Sequence, residues 1–212
     1  METKKLNVIE TIIDGFEIGV KNLPSLILTV LLYVLTVWIP YLNLGTTIAL
    51  QTLPGRLAKG EVISPLYIFE SHYRKDFSSF LLLYGCQILI FYVALCFFII
   101  PAFVVSIALS LAFYILIDDD CNAIEAMKRS NNATYGNKWN IFFVSLAFTV
   151  LSGFVVAIFL ALTYKMIVLC VLLFIIWFLL VCAVGQGINS SIYRQLYLER
   201  NEEEEAVQGV EE

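Results

Sequence analysis

This chain of 212 residues has one histidine, His72, and five cysteines without a C-x-x-C pair. No Cys/His zinc set can be assembled from that inventory. Cys86, Cys96, Cys170 and Cys182 lie in apolar runs, where a thiol behaves as a small hydrophobe, and only Cys121 does not. Charge is scarce as well, at 15% of residues against roughly 25% in a soluble domain. Glu10, Asp14 and Glu17 interrupt the stretch where a cleavable signal would carry its apolar region. There is no phosphate-binding glycine loop and no nucleophile–base pair, which argues against an enzyme. Nor is there a basic patch that would imply nucleic acid, and no cofactor motif stands out.

What the chain does have is apolar length, with 60% hydrophobic residues. Asn22 to Gly55 runs 34 residues without a charge, about 51 Å as helix against a hydrocarbon core of about 30 Å. One crossing cannot use that length, so the chain turns, and Pro40 to Asn43 supplies the place. Phe77 to Ile117 is charge-free over 41 residues and turns at Ile100-Pro101. Trp139 to Tyr164, a turn at Lys165, and Met166 to about Ile188 complete three hairpins and six spans. The segment 44–57 is the most polar of these spans and the one a re-entrant loop would use. Its Asn43, Thr47 and Gln51 recur at i, i+4, i+8 and share a face that should avoid lipid.

The basic residues orient the bundle. With the N-terminus inside, twelve of the thirteen Lys and Arg lie on the cytoplasmic side and only Lys165 lies outside. Both termini are therefore expected in the cytoplasm, as in a multi-pass protein of the bacterial cytoplasmic membrane. No ionisable group lies deep in a span, which disfavours a proton-driven transporter.

Each hairpin is preceded by an amphipathic stretch, at 6–21, 64–76 and 119–134. In the first, Leu6, Ile9, Ile13, Phe16 and Val20 form one apolar face, as in a helix lying in the membrane interface. The second gathers Leu66, Phe69 and Tyr73. In the third, Asn122-x-x-Glu125 has the form of a capping box and Gly136 that of a helix stop. The entries Lys21-Asn22-Leu23, Lys75-Asp76-Phe77 and Lys138-Trp139-Asn140 resemble one another, which suggests a threefold unit. The expected organisation is a single membrane domain, 1–196, with hairpins at 23–57, 77–117 and 138–188. After it comes an acidic, solvated tail, 197–212, whose last fourteen residues include seven glutamates.

Two small-residue stripes mark candidate packing faces: Ala102, Ser106, Ser110 in the fourth span and Ser145, Thr149, Gly153, Ala157, Ala161 in the fifth. In lipid, close approach through small residues is what holds helices together, so these faces are expected to meet. Asp118, Asp119 and Asp120 are the candidate ligands for a hard cation. Successive helical side chains point about 100° apart, however, and the same acids suit the start of a helix.

The stretch Phe98 to Pro101, then Tyr114 to Asp120, Glu125-Ala126 with Ser130, and Gly136 with Trp139, resembles an uncharacterised family of bacterial integral membrane proteins. That family is similar to the membrane domain attached to some glycerophosphodiester phosphodiesterases. The resemblance extends over most of the chain, to about Leu196, with Ala102 and Met127 as departures from its pattern. It implies a membrane fold and transfers no active site, because the catalytic domain of that group is lacking. The expected role is non-catalytic, binding membrane lipids or organising a protein partner through the cytoplasmic helices. A small transporter or channel using Asn43, Thr47 and Gln51, and an immunity-type membrane protein, are the alternatives.

Overall fold

A computed structural model describes residues 5–61, 63–162 and 167–211, and among them every regular element is helical. Helix α1, Val8–Lys21, starts where the Asn7 side chain accepts from the backbone N–H groups of Ile9 and Glu10. Its surface divides into three sectors. Ile9, Ile13, Phe16 and Val20 are exposed, Glu10, Asp14 and Glu17 form the charged sector, and Thr11, Gly15 and Gly19 are buried. Leu6 does not belong to the apolar sector. It precedes the helix and is buried, its N–H donating to Asn137 and its carbonyl accepting from Asn140, both at 2.8 Å.

The chain bends by 69° at Asn22 into α2, Leu23–Thr36, and returns as α3, Pro40–Ala58. The turn between them lies at 37–39, not at Pro40–Asn43. Pro40 opens α3 because the N–H that proline lacks has no partner at a helix start in any case. A 3-10 turn, Pro65–Phe69, and the short α4, His72–Lys75, stand where one helix over 64–76 was expected. Extended backbone at Glu70 separates them, leaving Leu66 exposed and Tyr73 buried.

Beyond lie α5, Phe77–Phe97; α6, Ile99–Ala108; α7, Ala112–Asp118; α8, Ala123–Thr134; and α9, Lys138–Leu162. The three entry triads do open helices α2, α5 and α9. In α8 the Asn122 side chain accepts from the Glu125 N–H at 2.9 Å, while the Glu125 carboxylate takes Arg129 instead of closing the box. Gly136 has φ +83°, the left-handed turn that glycine enters without steric cost.

Helix α10, Ile167–Tyr193, does not stop near Ile188. It continues through a π turn, Arg194–Leu198, into α11, Glu199–Glu211. The acidic tail is thus helical rather than a solvated coil. A helix that extends an existing one avoids the cost of nucleation, and Glu199 and Glu202 sit in its first turn.

Among the described residues, four helical stretches are long and apolar enough to cross a membrane: Phe77–Phe97, Ile99–Asp118, Lys138–Phe159 and Val171–Glu203. The bent pair α1–α2 makes a fifth if it is taken as one broken span. Helix α3 is not among them. Ten of its nineteen residues are buried, so it is an internal helix whose polar side chains need protein rather than lipid around them.

The apolar core is concentrated at one end. Leu53, Ile68, Tyr73, Leu83, Leu111, Ile115, Val144 and Tyr193 are all nearly inaccessible there. Away from that end the long helices expose Leu89, Tyr92, Phe97, Ile100, Val150, Phe154 and Ile176. Only 11–39% of each span's most apolar window is buried. Outward-facing apolar side chains along 20 or more residues suit a hydrocarbon solvent.

Two contacts join the helices at the packed end. On α1, Gly15 and Gly19 receive α10, where a Cβ at Gly187 would come within 2.0 Å of the Gly15 carbonyl oxygen. That spacing, small-xxx-small, allows two backbones to touch. The other lies at the break between α6 and α7. Ser130 of α8 donates to the Ala108 carbonyl at 2.8 Å and accepts from the Leu111 N–H at 3.2 Å. Gln87 of α5 donates to the Leu109 carbonyl at 3.1 Å. Backbone groups released by the break thereby find partners inside the protein.

Candidate functional site

The charged residues converge on the packed end because helices present their termini there, among them the end of α3, the start of α5, the end of α7, the start of α9 and the C-terminal part of α10. The Asp triplet closes α7 and is divided by it. Asp118 accepts from Lys59 Nζ and from the Tyr193 hydroxyl, each at 2.9 Å. Asp119 accepts from Arg129 Nη1 at 2.6 Å and from the Tyr197 hydroxyl in close contact. Asp120 has φ +47°, a left-handed conformation that aspartate tolerates, and turns the chain toward α8. Among the described residues no group of three acidic, Cys or His side chains is placed to hold a metal ion. The physical reason is that Asp118 and Asp119 each take a base and a phenol from different elements.

Tyr193 and Tyr197 lie one turn apart on either side of the junction between α10 and the π turn, with their rings stacked at 5.4 Å. They carry the two aspartates side by side. Arg129 is held above its ordinary pKa range by hydrogen bonding to Tyr197 and Glu125. Arg194, next to this pair, ties α10 to Asp14 of α1 and approaches Glu199 at 3.6 Å.

A second cluster adjoins Lys59. The Arg56 guanidinium lies over the rings of Tyr67 and Tyr73 at 5.5 and 5.7 Å and bonds Glu70 at 2.8 Å. Tyr67 is fixed by its hydroxyl, which donates to the Ala49 carbonyl at 2.6 Å. Burial pushes the Tyr73 phenol up to about 12, against the opposing pull of Arg56, and burial raises Tyr67 as well. Glu61 stands 3.9 Å from Arg56, too far for a hydrogen bond, and half of its side chain is exposed. His72 turns Nδ1 toward Asp76 at 3.2 Å. Between the two clusters is a cavity of about 250 Å³ lined by Thr52, Arg56, Lys59, Glu61, Tyr73 and Asp118, among others.

The other residues singled out in the sequence are scattered. Thr47 donates to Asn43 at 2.7 Å and meets Tyr33 of α2 at 3.3 Å, so these two join α2 to α3, while Gln51 is exposed. The small-residue stripes do not meet. Ala102 is buried, but Ser106, Ser110, Ser145, Thr149, Gly153 and Ala157 are exposed, and a Cβ at Gly153 would touch nothing within 4 Å. Those side chains face outward even though α6 itself packs against α5 and touches α9. The Ala161 side chain and Lys165 lie outside the described residues. Of the family-like residues, Ala126 and Ser130 are fully buried, Glu125 pairs with Arg129, and Trp139 is exposed over Phe142 and Phe143.

Sequence reasoning passed over Arg56, Lys59, Tyr67, Tyr193 and Tyr197, and placed Tyr73 only on the apolar face of a helix. A signal was present for the first two, the first charges after 34 uncharged residues. Another was the pattern Tyr193-Arg194-x-x-Tyr197, just past the last apolar run. No protein-family model matches the chain, and neither a curated protein nor a solved structure matches it.

Proposed function

We propose that this chain is a non-catalytic multi-pass membrane protein that binds lipid at the cytoplasmic ends of its spans. One observation carries the reading: a polar cavity, ringed by paired charges, sits where apolar helices exposed to their surroundings terminate. Such a position is the boundary between hydrocarbon and headgroups, and it offers charge-assisted donors without an activated nucleophile. Burial pushes the Cys121 thiol up, away from the reactive thiolate.

Four spans cross, and the α2–α3 hairpin enters only part-way, with α1 packed along α10 and its Ile9, Ile13, Phe16 and Val20 sector turned outward. Both termini are then cytoplasmic, in accord with the sidedness of the basic residues. The kinship with the membrane domain of glycerophosphodiester phosphodiesterases belongs to the same proposal and adds no active site to it.

The test is to purify the full chain with its native lipids, crosslink, and identify what is retained by mass spectrometry. Stoichiometric phospholipid is the expected result. A stoichiometric protein with no retained lipid would replace this reading with a partner-organising role. Topology is tested separately by cysteine labelling: an Asn43→Cys variant should label only from the cytoplasmic side, and labelling from outside would restore six spans.

A further inference from the structure

We infer that the cavity between α3, α4 and α7 takes a phospholipid headgroup bearing both a phosphate and a primary ammonium. This rests on the lipid-binding reading above and narrows it to one class of ligand.

The donors come first. Arg56 is clamped by two aromatic faces and by Glu70 at Nη2, which leaves Nη1 without a hydrogen-bonded carboxylate in that direction. Lys59 gives one N–H to Asp118 and keeps two more for a second acceptor. The two cations flank the same space. A phosphate seated there gains charge-assisted hydrogen bonds from groups whose orientation is already fixed.

The acceptors decide the rest. Glu61 and Asp118 also line the cavity and Glu70 holds Arg56, so the carboxylates already offset Arg56 and Lys59. A phosphate alone would add negative charge beside them, whereas a zwitterion adds none. Its ammonium would meet Glu61, half exposed and still beyond hydrogen-bond distance of Arg56. Carboxylate acceptors favour an ammonium that has N–H groups to donate. A quaternary amine would instead need free aromatic faces, and those of Tyr67 and Tyr73 already carry Arg56. The volume, about 250 Å³, holds a headgroup and lies below the roughly 300–1,000 Å³ of drug-sized sites.

The experiment uses the full chain in detergent with an equimolar mixture of phosphatidylethanolamine, phosphatidylcholine and phosphatidylglycerol, read by native mass spectrometry. Phosphatidylethanolamine should be retained about tenfold over phosphatidylcholine, the scale of one hydrogen bond to a charged group. Glu61→Gln, at a half-exposed position, should abolish that preference and raise phosphatidylglycerol retention, because a negative charge beside the phosphate is removed. Soluble phosphoethanolamine should displace the lipid where phosphocholine and inorganic phosphate do not, which separates the zwitterionic headgroup from phosphate alone. Equal retention of the three lipids, or a preference that survives Glu61→Gln, would overturn the headgroup assignment while lipid binding stands. Retention of none would overturn both.

Discussion

The two ends of this molecule are built on different principles. At the charged end, Tyr73, Leu83, Ile115 and Tyr193 are almost fully enclosed, and glycine, serine and arginine bring helices into contact. At the far end, apolar side chains from Phe97 to Ile100 and from Val150 to Phe154 are mostly exposed. Both regions are rich in apolar side chains, so hydrophobicity alone does not explain the difference. Polar groups do. Each ion pair and each backbone bond released by a helix break requires a partner, and the helices gather where those requirements are met. Where no such requirement exists, lipid competes with protein on equal terms.

Four substitutions or conditions would sharpen or break that contrast. The largest effect is expected from Gly187→Leu, whose side chain would collide with the Gly15 backbone. It should cost about 3 kcal/mol or more and appear as aggregation on size-exclusion chromatography in detergent. Ser130→Ala comes next, because the Leu111 N–H loses its side-chain partner and the Ala108 carbonyl keeps only the Thr134 hydroxyl at 3.5 Å. A loss of about 1–3 kcal/mol, read as a lower Tm in detergent, is expected.

Alkaline pH should act on the charged end alone. Tyr73 holds its proton to about 12 in the folded chain, above the ordinary phenol value near 10. A raised pKa contributes stability that is complete below about pH 10 and is lost as pH rises toward 12. Tyr73→Phe should make that loss shallower, with Tyr67 still contributing, and an unchanged curve would refute the assignment.

The smallest effect is predicted for Gly153→Leu on α9, within about 0.5 kcal/mol, since nothing faces the position. A drop comparable to that of Gly187→Leu would show that the far end is packed after all, against a second molecule.

The sequence showed the charge-free runs, the entry points and the grouping of bases, because these depend on composition along one dimension. Asn122 and Gly136 were equally legible, since a cap and a left-handed turn are local events. Which small-residue stripe packs was not legible. Gly15 and Gly19 lay inside an apparently amphipathic helix, and the more regular stripe through Gly153 faces outward. Periodicity names a face and cannot say which neighbour arrives at it. The candidate site was hidden for a related reason, as Arg56, Asp118 and Tyr193 are far apart in sequence and meet only through tertiary packing. The Asp triplet drew attention by adjacency, yet its members serve separate partners.

The serine clasp across the α6–α7 break also has a bearing on biosynthesis. The hydroxyl that satisfies the Ala108 carbonyl lies 22 residues downstream in the chain. The span therefore emerges from the ribosome ahead of the group that completes it. Until Ser130 emerges, the nascent segment holds an open joint at Leu109–Leu111, and α8 must fold back from the surface to close it. The emergence of this apolar span and the docking of α8 are thus successive stages of one assembly step, set in order by the direction of translation.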